Sequence, residues 1–197
     1  MAGTDTTKIF IGTLEQSKTV GALMRGPKLS TVPADFDAAL AAIGSFASCG
    51  YLTDDGPTLS TELDVAELRE HNGALVRKTV NTFDATLEAT IMQADADGWK
   101  MAFGDDNVTV TPATTTHGEQ LHIGLGASLA EEQTWALRIK DGDMRMIVLV
   151  PDGQCSSEIE INFSTEEPIA LPVSISGLDE GSRTPVHIYV DDGQKTS

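Results

Sequence analysis

A few groups of residues in this sequence have types and spacings that chemistry uses. Gly126-Ala127-Ser128-Leu129-Ala130 approximates the nucleophile elbow G-x-S-x-G, in which small neighbours let a sharp turn expose its serine. Asp179 and His187 follow in the chain order of an α/β-hydrolase triad. The last motif position is Ala130 rather than glycine, and no parallel sheet is legible to hold such an elbow. Ser128 therefore reads as a turn or capping residue, with a small serine hydrolase as the distant alternative. The stretch from Gln93 through Asp95 and Asp97 to Gly104 has the oxygen-rich look of a calcium loop. Registered on that motif, position one is Gln93 and position twelve is Gly104, where a bidentate glutamate belongs. It fails at both ends. His117, Glu119 and His122 are three candidate metal ligands in a Thr- and Gly-rich stretch, without the spacing of a zinc site. Gly124-Leu125-Gly126 lacks the later small residue and the βαβ setting of a dinucleotide loop. His187, Tyr189 and Asp191 fall on one side of a strand and read as a solvated face. The expectation is no catalytic residue, no metal site and no cofactor.

The elements that would position any site are strands. Phe83, Ala85, Leu87, Ala89 and Ile91 alternate with Asp84, Thr86, Glu88, Thr90 and Met92, as a strand with one face on a core requires. Trp135, Leu137 and Ile139 alternate with polar or small neighbours, and so do Ile159, Ile161 and Phe163. Asp141-Gly142 is a hairpin turn signal, and the following Ile147-Val148-Leu149-Val150 run predicts cover on both faces or by another chain. Pro151-Asp152-Gly153-Gln154 predicts a further turn. With strands near 63–68, 75–80, 108–111, 121–125, 171–176 and 186–190, the pattern is an antiparallel sandwich or barrel. Two short helices are expected. One carries Phe36, Ala39, Leu40 and Ile43 between Pro33 and Gly44; the other is capped by Asp95 and stopped by Gly104.

Composition narrows the function. The 197 residues carry 13 Lys and Arg against 30 Asp and Glu, a net charge of -17. The excess is uneven: four basic and four acidic residues lie in 1–50, against four and ten in 51–100, three and seven in 101–150, two and nine in 151–197. Such a surface repels duplex DNA, whose binding works by phosphate neutralisation. It suits solubility, or a polyanion that must slide past without sticking. No apolar run approaches the roughly 18–20 residues of a membrane span. The first residues show no basic and apolar leader pattern. Cys49 and Cys155 lie in no CxxC pair, and two reduced, buried thiols are expected.

Residues 20–60 differ from the rest. They are rich in glycine and proline, show little strand pattern, and carry apolar Leu23, Met24, Phe36, Leu40 and Tyr51. A stretch of that length without clear structure packs on something or stays disordered. The expected layout is one domain over 1–197: an arm at 1–13, an assembly loop at 20–60, a β-sandwich core at 61–190 and a tail at 191–197.

Several stretches, in order, resemble the major tail tube proteins of long-tailed, non-contractile phages, especially those of actinobacterial hosts. Val20-Gly21-Ala22-Leu23-Met24-Arg25-Gly26-Pro27 is similar to the family's early glycine- and proline-bearing segment. Gly50-Tyr51-Leu52-Thr53-Asp54-Asp55-Gly56 resembles its Gly-Tyr…Asp-Gly turn. Thr86–Ile91 running into Trp99–Gly104 resembles its strand and short helix, and the hairpins of 135–163 and the strands of 168–190 continue the likeness. The resemblance implies a compact β-sandwich forming hexameric rings that stack into a DNA conduit. It implies contacts with sibling copies, with the tape-measure protein in the lumen, and with tail terminator and tail-tip proteins, while genomic DNA passes unbound. Leu23, Met24, Phe36, Leu40 and Tyr51 become the expected assembly contacts, and the virion the expected location. A tail terminator or a head decoration protein is the nearer alternative.

Overall fold

The computed structural model describes residues 9–15, 21–126, 129–155, 160–166, 168–179, 181 and 184–194. Among them the chain is mainly β and antiparallel. Its strands are β1 (Thr13–Leu14), β2 (Leu23–Gly26), β3 (Ala47–Ser48), β4 (Thr58–Arg69), β5 (Leu75–Ile91), β6 (Val108–Thr111), β7 (Gln120–Ile123), β8 (Gln133–Asp141), β9 (Met144–Cys155), β10 (Leu171–Gly177) and β11 (His187–Asp191). The principal sheet runs β3-β2-β8-β9-β10-β5-β4, with β1 added to β8 and β11 to β9, while β6 and β7 form a separate hairpin. The sheet does not close, so β3 and β4 are its two ends. No helix of the described residues is long and apolar enough to cross a membrane.

Period two sorts the core onto the two faces of this sheet. On one face lie Leu23, Trp135, Leu137, Val148, Val150, Val173, Ile175, Leu87 and Ile91, together with Met101 and Ala102 of helix α2 (Ala96–Phe103). On the other lie Met24, Ala136, Ile147 and Leu149, against Ala39 of helix α1 (Phe36–Ala42) and Ile43 of the turn that follows it. The central hairpin β8–β9 is thus covered on both sides, which is why Ile147–Val150 is apolar without a break. Its turn is the expected Asp141-Gly142 corner, with Asp141 paired to Met144 and Gly142 at a φ of 60°.

Both helices start where a side chain can satisfy their free amides. The Ala38 N–H donates to Asp35 Oδ1 at 2.8 Å, and the Gly98 N–H to Asp95 Oδ1 at 2.8 Å. Gly104 ends α2 at a φ of 89°, a conformation that glycine adopts without strain. Gly98 costs helix propensity, but a Cβ there would collide with the Gln93 carbonyl, so the close turn into α2 requires it.

Three local expectations are corrected. Leu75–Val80 and Phe83–Ile91 are one 17-residue strand; a register shift opposite Asp64 and Val65 accommodates Asn81 and breaks the alternation. Pro151–Gln154 is not a turn but the continuation of β9. A register shift lies there, and β9 changes partner, from β11 over Arg145–Leu149 to β10 over Gly153–Cys155. Pro151 falls between the two ladders, where no N–H is needed. Finally, Glu160–Phe163 belong to no strand; Ile161 packs partly on the core, Phe163 is exposed, and Ile159 lies outside the described residues.

Candidate assembly surface

β5 has two different halves. From Thr86 to Ile91 it pairs with β10, and over Thr86–Glu88 with β4 on its other side as well. From Leu75 to Ala85 it has only β4, so residues 62–84 form a two-stranded ribbon beyond the sheet. The outer edge of β4, twelve residues long, carries no neighbour among the described residues. A free edge of that length is a ready template for another chain. The ribbon's side chains reinforce the point. Leu63, Leu68, Leu75, Val76, Val80 and Phe83 are all exposed, by 41 to 62%. Scattered surface leucines are ordinary, but six large apolar residues on one 23-residue projection make a concentrated apolar surface, the kind that partner chains cover.

Charge divides the ribbon as well. Near its base stand Glu62, Asp64, Asp84 and Glu88. Towards the tip Arg69, Arg77 and Lys78 outnumber Glu67 and Glu70, in a chain otherwise strongly acidic. Glu67 accepts from Lys78 at 2.9 Å and Arg69 at 2.6 Å. Those two cations, Lys78 foremost, hold its carboxyl below the usual carboxylate range. Arg77 makes no ion pair among the described residues and sits opposite Leu68.

Where β5 leaves the sheet, a cleft opens. One wall is Leu63, Val80 and Phe83 of the ribbon; the other is Pro185 and Val186 leading into β11. The cleft measures about 510 Å³ and is mostly apolar. Pro185 is itself held close to the end of β10, since a Cβ on Gly177 would meet it at 2.9 Å.

The five expected contact residues are not brought together on a surface. Leu23 and Met24 are buried in the chain's own core, because four-residue β2 lies between β3 and β8 and is covered on both faces. Phe36 and Leu40 are half-buried, packed with α1 on the sheet. Tyr51 alone is freely exposed, at 65%. The segment around them is stitched to the sheet rather than loose. Arg25 donates to Asp105 at 2.6 Å, Lys28 to Glu132 at 2.9 Å and Asp152 at 2.7 Å, and the Cys49 N–H to the Leu23 carbonyl at 3.0 Å. The exposed-ribbon signal was available as Leu63, Leu68, Val76 and Val80, but one sequence does not separate an uncovered strand from a covered one.

The chemistry candidates fare plainly. Ser128 lies outside the described residues. Asp179 accepts the Gly181 N–H at 2.8 Å in a local turn. His187 stacks on Tyr189, and its Nε2 is buried with no hydrogen-bond partner among the described residues. That face is not solvated as expected: Tyr189 packs under α1 and its hydroxyl donates to the Pro33 carbonyl at 2.8 Å. Burial, and then Asp35, raise the Tyr189 pKa. Asp95 is spent capping α2, and the described residues hold no group of three potential metal ligands. Cys49 and Cys155 are free and buried, and desolvation pushes the Cys49 thiol up to about 12.

A family model described as phage tail tube protein matches residues 17–196. No curated protein matches the chain.

Proposed function

Because this chain belongs to the phage tail tube protein family, and is thus a structural protein of a phage tail, we propose that it is the repeating subunit of the tube. In this reading copies close into rings, hexameric as the family resemblance implies, and the rings stack into the conduit through which DNA is ejected. The observation that carries the reading is the ribbon of residues 62–84, with a twelve-residue free edge and six exposed apolar side chains. Closed rings and stacks give such edges partners on identical chains, which prevents open-ended aggregation.

The acidic excess supports the conduit role, because a negative bore repels DNA and keeps it moving. The tape-measure protein within the lumen, and terminator and tip proteins at the ends, are the partners that this role implies. Catalysis is not part of it. Electron micrographs of the purified protein at high concentration test the reading. Stacked rings of indefinite length are expected; single rings would favour a terminator, and particles that never associate would remove the proposal.

A further inference from the structure

The cleft beside the ribbon lies between two strand edges that lack neighbours among the described residues, those of distal β5 and β11. Pro185 and Val186 line one side, at the start of β11. Leu63, Val80 and Phe83 line the other. Such a cleft suits one extended segment with apolar side chains at every second position.

We propose that residues Ile9–Gly12 of a second copy of this chain fill the cleft as an added strand. Ile9 and Ile11 are 61% and 74% exposed and two residues apart, so both would face the apolar walls. The segment is held to its own chain lightly: the Ile11 N–H donates to Asp141 Oδ2 at 2.8 Å, and Gly12 lies close against Ile139. Charge favours it over the chain's other free edge. Residues 9–14 carry no charge, whereas β4 would bring Glu62, Asp64 and Glu67 into an acidic surface. The segment cannot serve its own cleft. Thr13 pairs with Lys140 beside the β8–β9 turn, so residues 9–12 run past that turn. The cleft lies at the opposite end of β11, where His187 pairs with Leu149, and three strand spacings across, roughly 14 Å. The donor and the cleft therefore belong to different copies.

The inference rests on the tube reading, and the two fail separately. Wild-type protein that never assembles removes the tube reading; tubes in which the segment lies elsewhere remove only this one. The direct test mixes two singly substituted chains, Ile11→Cys and Val80→Cys, and oxidises them after assembly. A cross-linked dimer of one chain with the other is expected, absent when Leu125→Cys replaces Val80→Cys. Assembled tubes without that dimer, or with equal yield in the control, overturn the proposal. Should the cysteine variants fail to assemble, Ile9→Asp/Ile11→Asp decides. At least a tenfold rise in the protein concentration needed for tubes is expected, with unchanged monomer melting; an unchanged threshold overturns the proposal.

Discussion

The two halves of β5 belong to one continuous strand, yet their side chains meet opposite surroundings. Ala85, Leu87, Ala89 and Ile91 are buried, the last three in the core shared with Met101 and Ala102 of α2. Phe83, Val80, Val76 and Leu75, on the same strand, are 41 to 62% exposed. Burying such a side chain is worth roughly 1.5–3 kcal/mol. The first half collects that stabilisation within the chain, and the second leaves it uncollected until something covers the ribbon. The proximal half explains the fold; the distal half is the surface that the proposed assembly would cover.

Breaking the proximal half gives the largest effect. Leu87→Ala should cost about 2–5 kcal/mol in denaturant unfolding, whereas Phe83→Ala should cost less than about 1 kcal/mol, because its ring is already wet. Equal losses would mean that the ribbon is part of the monomer's core. Gly153→Ala comes next. Its Cβ would meet Trp135 at 2.7 Å and Ile175 at 2.8 Å, so overpacking of about 1–3 kcal/mol is expected in the same assay. Removing a helix cap, by Asp35→Ala or Asp95→Ala, should cost about 1 kcal/mol each, with no loss where the cap is idle.

Cys49 sharpens the comparison through pH. Its thiol titrates at an ordinary value of 9.0 when unfolded and is raised to about 12 in the fold. The folded state holds its proton more tightly, so its contribution is complete below pH 9 and is lost as pH rises from 9 towards 12. A thiol reagent at pH 8 should therefore modify Cys49 only after unfolding, while a cysteine placed at Leu68 reacts at once. Rapid modification of native Cys49 would show the core to be more open than its burial implies.

Local signals were legible in the sequence, and long-range ones were not. Asp95, Gly104 and Asp141-Gly142 fix their helix and hairpin by chemistry within a few residues, and all act as expected. Pro151-Asp152-Gly153 has the same turn chemistry, but β10 and β11 take up the two halves of β9 on either side of it, and the strand continues. Leu23 and Met24 looked exposed because a four-residue strand shows no period; their burial depends on β8, more than a hundred residues away. The bulge at Asn81 interrupts the alternation, so in the sequence the ribbon presents as separate strands. Nothing local tells Leu87 from Phe83, because the difference is made by α2 and β10.

The most direct measurement replaces two exposed residues of the distal ribbon, Leu68→Asp/Val76→Asp, and compares melting and electron micrographs with the unaltered protein. Exposed at 61% and 62%, these positions should tolerate the change within about 0.5 kcal/mol each. Folded single subunits that no longer form tubes are expected. Tubes of normal length from the doubly substituted chain would contradict the assembly role of the ribbon.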